Sequence, residues 1–257
     1  MSLFNGNKSA KPPSLLLFLL EGRSLYELGA YYLSLPILQA TPQGDGHPIL
    51  VFPGFLASDI ETSPLRLFLK SRGYAVHGWE LGRNWGFNAE LERKMSLRLK
   101  EVWTRYRRKV SLVGWSLGGV YVREVSRNLP EYVRQVITLG SPFTNDYKAN
   151  NLWRIYNLIN QEQLEELNPK MLKAMSMPPP VPATAIYSRT DGIIAWQCCV
   201  EPESPTSESI AVIGSSHTGL AHNPLVLYVV ADRLAQSEGE WSPFEQTKLR
   251  RFLYQTI

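Results

Sequence analysis

From residue 47 onward, short apolar runs alternate with longer stretches in which apolar side chains recur every three or four positions. Runs at 47–52 (His-Pro-Ile-Leu-Val-Phe), 74–79, 109–114, 133–139 (Val-Arg-Gln-Val-Ile-Thr-Leu), 183–187 and 209–213 predict strands. They are near-continuously apolar, as strands covered on both faces are. Residues 62–71, carrying Leu65, Leu67, Phe68 and Leu69, predict a helix. So do 88–108, 120–129 and 224–235, the last with Asn223 at the N-cap position and Pro224 in its first turn. Strand–helix alternation implies right-handed crossovers and an α/β architecture: a mostly parallel sheet of about six strands with helices on both faces. In such sheets chemistry collects at the carboxyl ends of the strands.

Two segments stand outside this rhythm. Residues 1–46 form an N-terminal helical segment, in which 14–38 predict one or two amphipathic helices, broken near Gly22 and packing on the domain. The apolar run 15–20 is six residues long and ends at Glu21, too short for a signal peptide's apolar region or a membrane span. It does make 14–38 a candidate for contact with a membrane surface. Residues 142–182, between the fourth and fifth strands, are too long for a connection and too short for a domain. They predict a small helical cap, with Leu152, Ile155, Tyr156 and Ile159 on one face and three of the chain's five methionines. The whole, 1–257, is expected to be a single domain.

Composition narrows the partners. The 257 residues are 44% hydrophobic and 19% charged, an ordinary globular balance. The net charge of +4 is concentrated in 93–109, which includes Arg105, Arg107, Arg108 and Lys109. No stacking aromatics or nucleic-acid-binding module accompany it, so a solvated helix face is expected and nucleic acid is not. The two cysteines, Cys198 and Cys199, are adjacent, an arrangement that strains a disulfide. Free thiols suit a reducing compartment, and a cytoplasmic protein is the expectation.

The candidate chemistry centres on Gly114-Trp115-Ser116-Leu117-Gly118-Gly119, lying between a strand signal and a helix signal. A strand that delivers a serine onto a sharp turn needs small flanking residues, and a helix beginning below it gives the layout of a nucleophile elbow. A serine hydroxyl needs a base and a group that orients the base. Of the four histidines, His47 precedes the first strand, at the wrong edge, and His77 lies inside the second. His217 follows the sixth strand, and His222 is its rival. Asp191, in a turn just after the fifth strand, is the candidate acid, with Asp146 the alternative, whereas Glu201, Glu203 and Glu208 read as solvent-exposed loop charges. Backbone amides of Leu117 and of Phe55, in Pro53-Gly54-Phe55 after the first strand, are the candidate oxyanion donors. Leu56, Trp115, Trp153 and Met171 are expected to line a substrate pocket. No metal-ligand spacing appears, and no cofactor is expected.

Taken together, Pro53-Gly54-Phe55, the Ser116 motif, Thr138-Leu139-Gly140-Ser141-Pro142, Ser188-Arg189-Thr190-Asp191-Gly192 and Ser216-His217 resemble the α/β-hydrolase superfamily, nearest its bacterial lipases and esterases. The resemblance spans roughly residues 47–235. Two departures stand out: Pro53-Gly54 replaces the His-Gly common in lipases, and the two antiparallel strands that usually open the fold are missing, so the N-terminal helices are expected to cover the face or edge left bare. The resemblance implies hydrolysis of a small-molecule or lipid ester through an acyl-enzyme, with a Ser116–His217–Asp191 triad. Thioester, lactone, amide or polyester cleavage by the same triad is the alternative, and a non-catalytic binding protein on the same fold is a third reading.

Overall fold

The computed structural model describes residues 10–144, 149–160, 174–245 and 250–256. Two helices, α1 (Leu15–Leu19) and α2 (Ser24–Leu38), are joined by a 3-10 turn at Leu20–Arg23, where the sequence predicts a break. There follow β1 (Pro48–Phe52), α3 (Ser63–Ser71), β2 (Ala75–Gly78), α4 (Ala89–Tyr106), β3 (Val110–Trp115), α5 (Leu117–Asn128) and β4 (Val133–Leu139). Next come α6 (Trp153–Ile159), β5 (Ala183–Tyr187), β6 (Ser207–Val212), α7 (Pro224–Leu234) and β7 (Tyr254–Thr256).

The strands form one sheet in the order β2-β1-β3-β4-β5-β6-β7. β1 to β6 are parallel, and β7 pairs antiparallel with β6, placing Tyr254 opposite Val212. This seventh strand goes beyond the expected six. Three residues cannot display alternation, but the buried Tyr254, packed edge-on to Phe244, anchors it.

Every residue of β1, β3, β4 and β5 is buried. Alternate side chains divide between two cores. Val51, Val113 and Ile137 pack with α3 and α7, while Leu50, Leu112 and Val136 pack with α4 and α5. Helix α4 starts where Asn88 accepts a hydrogen bond from the Leu91 amide at 2.7 Å, and α7 starts where Asn223 accepts from Leu225 at 2.9 Å.

Of the two placements expected for the N-terminal helices, a bare face or a bare edge, α2 takes the face. Tyr31, Leu38, Leu28 and Leu35 seat α2 on the core that contains α7. The turn before α2 runs over the loops that follow β5 and β6. The expectation of solvent-exposed loop charges also fails at two positions. Glu201 is buried in an ion pair with Arg123 of α5, and Glu208, within β6, is buried against Arg233. Their partners lie far along the chain, so no local pattern announces them. Of the cap segment 142–182, Met171 lies outside the described residues, as does Asp146.

Candidate active site

Parallel register brings the ends of β1, β3, β4, β5 and β6 to one edge, and the candidate residues gather there. Ser116 directly follows β3 with φ 54° and ψ −124°, a backbone conformation strained for any residue with a Cβ. The turn is pinned by the Ser116 amide to the Leu139 carbonyl at 2.8 Å and by the Gly119 amide to the Ser116 carbonyl at 2.9 Å. A Cβ on Gly114 would collide with the Gly118 backbone, and one on Gly118 with the carbonyls of Phe52 and Pro53. That crowding is the physical reason for the small residues around the serine.

His217 Nε2 lies 2.9 Å from Ser116 Oγ, and His217 Nδ1 lies 2.6 Å from Asp191 Oδ2. The other carboxylate oxygen of Asp191 accepts from the Ile193 and Ile194 amides at 2.8 and 2.7 Å, which fixes the carboxylate plane. His217 and Asp191 are buried and Ser116 is half-buried. Burial opposes the charged imidazolium. The Asp191 charge and hydrogen bond, with the Glu21 charge behind them, outweigh it and hold the His217 pKa above its ordinary value. With Nδ1–H donating to Asp191, Nε2 is left to accept the serine proton.

The loop after β1 lies against this turn. A Cβ on Gly54 would sit 3.0 Å from the Ser116 Cβ. The Leu56 amide is taken by the Asn84 carbonyl at 2.7 Å and the Ala57 amide by the Gly54 carbonyl at 3.1 Å. Among the described residues, the amides of Phe55 and Leu117 have no acceptor. Asn84, fully buried, organises the loop: its side chain also donates to the Pro53 carbonyl at 3.0 Å, and its amide donates to Ala57 O at 2.8 Å. Sequence reasoning passed over Asn84, because its partners belong to a loop nearly thirty residues upstream. It also holds Leu56, a non-glycine residue at φ 61°.

Of the expected pocket residues, Leu56 is half-buried in this loop. Trp153 stacks on Tyr156, with centroids 6.1 Å apart, and Tyr156 meets the Phe55 ring edge-on at 5.0 Å, so α6 sits over the loop after β1. Trp115 lies beside Gly54, where a Cβ would come within 3.3 Å of its ring. Its indole is buried in the core, and Nε1 donates to the His217 carbonyl at 3.0 Å, supporting the histidine from below.

His222, the rival base, instead contacts the Ser24 carbonyl at 3.0 Å, and His77 contacts the Tyr106 hydroxyl at 3.0 Å. Among the described residues no three His, Cys, Asp or Glu side chains converge as a metal site requires. Nor is any described helix long and apolar enough to cross a membrane.

No protein-family model and no curated protein sequence matches the chain. Solved structures do match. A Bacillus licheniformis lipase, BlEst2, aligns at TM-score 0.57 and 17% identity, over 76% of this chain and 94% of its own. Aspergillus fumigatus lipase B aligns at TM-score 0.55 and 16% identity, over 75% of this chain and 53% of its own. Naproxen esterase from Bacillus subtilis aligns at TM-score 0.50 and 14% identity, over 83% of this chain and 98% of its own. The fold is therefore the α/β-hydrolase fold, shared with lipases and esterases.

Proposed function

We propose that this chain is a carboxylic ester hydrolase working through an acyl-enzyme. Ser116 Oγ attacks the ester carbonyl while His217 Nε2 accepts its proton. Asp191 holds the imidazole in the required tautomer and stabilises the imidazolium. The negative oxygen of the tetrahedral intermediate takes hydrogen bonds from the Phe55 and Leu117 amides. The intermediate collapses as His217 returns the proton to the departing alcohol. Water, deprotonated by His217, then attacks the acyl-Ser116 carbonyl, and His217 returns that proton to Ser116 Oγ as the acyl–oxygen bond breaks and the acid leaves.

The observation that carries this reading is the unbroken chain from Ser116 Oγ through His217 to Asp191, at 2.9 and 2.6 Å, beside two backbone amides with no acceptor among the described residues. The test is hydrolysis of p-nitrophenyl esters together with fluorophosphonate labelling. Turnover and label are expected in the wild type and absent in Ser116→Ala. Wild-type turnover by Ser116→Ala refutes the reading.

One observation favours a lipid-borne ester. The three charged side chains of 14–38, Glu21, Arg23 and Glu27, turn inward onto the catalytic loops. Leu15, Leu16, Leu19, Leu25 and Leu33 face outward, each at least 66% exposed, beside the exposed Tyr26 and Tyr32. Polarity turned inside out in this way suits a segment resting in the interfacial layer of a bilayer. Co-sedimentation with phosphatidylcholine liposomes, lost in a Leu15→Glu/Leu19→Glu variant, is the expected result. Equal sedimentation of both proteins rejects it.

A further inference from the structure

The acid and the base sit on separate loops, and the gap between them is spanned by the N-terminal segment. Glu21, in the 3-10 turn between α1 and α2, accepts through Oε1 from the backbone amides of both Gly192, at 2.8 Å, and His217, at 2.9 Å. Its Oε2 accepts from Thr218 at 3.2 Å. Arg23 repeats the bridge with opposite polarity. Its Nη2 donates to the Thr190 carbonyl at 2.5 Å, on the acid loop, and to the Ser215 carbonyl at 3.0 Å, on the base loop. Glu27, about one turn further along, accepts from the Ser216 amide at 2.8 Å and from Ser215 Oγ and Asn223 Nδ2, both at 2.9 Å.

The fit is close. A Cβ on Gly192 would run into the Leu17 carbonyl, and one on Gly219 into the Glu27 carboxylate. These two glycines make room for the segment.

We propose that Glu21 is a positioning residue for the acyl-transfer centre: by holding the Gly192 and His217 amides on one carboxylate oxygen, it sets the separation of Asp191 from the imidazole. The proposal rests on the triad reading given above. A carboxylate suits the task because an ionised acceptor takes two or three N–H groups at once, in bonds stronger than a neutral acceptor makes. Its charge also acts on His217 directly. That imidazole meets Ser116 from the elbow, Asp191 from the acid loop and the Trp115 ring from β3, and Glu21, bonded to the His217 backbone amide, adds its charge from the N-terminal turn. Both ionised members are negative, so both favour the imidazolium formed when Ser116 gives up its proton.

The experiment compares Glu21→Ala and Glu21→Gln with the wild type in p-nitrophenyl ester hydrolysis. It measures kcat, KM and the acidic limb of the pH profile, with the His217 Nδ1 proton titrated by NMR in the same proteins. Glu21→Ala is expected to lower kcat about 100-fold with KM within about twofold, the scale of a misplaced catalytic group. Glu21→Gln keeps an acceptor oxygen and loses the charge. Its kcat is expected to fall about tenfold, with the acidic limb and the His217 titration both moving to lower pH.

If Glu21→Ala fails to fold, the isosteric Glu21→Gln carries the test. Lower melting temperatures with unchanged kcat and an unchanged pH limb would reduce Glu21 to a structural contact and overturn the proposal. Should Ser116→Ala retain wild-type turnover, the acyl-transfer reading itself falls. The NMR titration still reports, independently of turnover, whether Glu21 acts on His217.

Discussion

Ser116 carries a backbone strain that can be measured without knowing the substrate. At φ 54° and ψ −124° it occupies a region that glycine enters freely and that costs another residue about 1–3 kcal/mol. Comparing Ser116→Gly with Ser116→Ala isolates that cost, because both variants lose the same hydroxyl and the same 2.9 Å contact with His217. Alanine keeps the strain and glycine releases it. Against the release stand glycine's greater freedom in the unfolded chain, about 0.4–1 kcal/mol, and the loss of one half-buried methyl, about 0.4 kcal/mol. The balance leaves Ser116→Gly more stable than Ser116→Ala by about 1 kcal/mol. For a domain of this size that corresponds to a melting temperature roughly 2–4 °C higher. Differential scanning calorimetry of the two variants under identical conditions is the assay. Both should lack esterase activity, so no bound acyl group confounds the comparison. A Ser116→Gly variant that melts at or below Ser116→Ala would refute the strain argument, and with it the view that the elbow stores strain to present its nucleophile.

Other outcomes follow from the same geometry. Asp191→Asn keeps an oxygen for the Ile193 and Ile194 amides but turns an amide toward His217 Nδ1, favouring the wrong tautomer. It should fold normally and lose about 10³- to 10⁴-fold in kcat, as steady-state kinetics will read. The base must be neutral to act and its pKa is raised, so the acidic limb of the kcat/KM profile should lie above pH 6.5, the ordinary histidine value. The same shift has a stability sign. A raised folded pKa contributes stability that is fully present below the unfolded value and is lost as pH rises through the folded one, so His217→Gln should lose more stability at pH 5.5 than at pH 9 in denaturant titrations. Ser111→Ala should keep full activity while lowering stability by about 1–2 kcal/mol, because it leaves the buried His47 Nε2 without its 2.9 Å partner.

The parts of the fold that were legible are those written in local pattern. β1, β3, β4 and β5 are buried on both faces, so they read as unbroken apolar runs. α4 and α7 begin at asparagine caps visible in the sequence. Ser116 stood out because the steric demands of the elbow are met by neighbours within four residues. Asp191 and His217 could be named as candidates because each follows a strand directly, and parallel register brings such positions together. What stayed hidden depends on distant partners. Glu21 meets Gly192 and His217 across more than 170 residues, with no motif to mark it. Glu201 looks like a loop charge until Arg123, 78 residues away, is found buried against it. The hydrogen bond from the Trp115 indole to the His217 carbonyl, 102 residues away, likewise has no local mark.

The chain also contains a second Ser–His–Asp constellation, and the contrast separates the features on which the proposal for Ser116 depends. His47 Nε2 lies 2.9 Å from Ser111 Oγ and its Nδ1 lies 2.5 Å from Asp45 Oδ1, distances that nearly repeat those around His217. Three differences separate them. Ser111 is fully buried within β3 near the amino edge of the sheet, where no substrate reaches it, whereas Ser116 is half-buried at the carboxyl edge. The surroundings have opposite sign. Burial, then Arg134 and Arg108, outweigh Asp45 and push the His47 pKa down to about 4, so this imidazole stays neutral at pH 7 and resists taking a proton. At His217 burial also opposes the charge, but the charged neighbours, Asp191 and Glu21, are both carboxylates and outweigh it in favour of the protonated form. Finally, Ser116 has two backbone amides beside it with no acceptor among the described residues, whereas Ser111 sits in the ladder of a central strand. Hydrogen-bond distances alone therefore do not distinguish the two sites. Access, the sign of the surrounding charge and the presence of amides without an acceptor among the described residues do, and at Ser116 all three agree with the proposed chemistry.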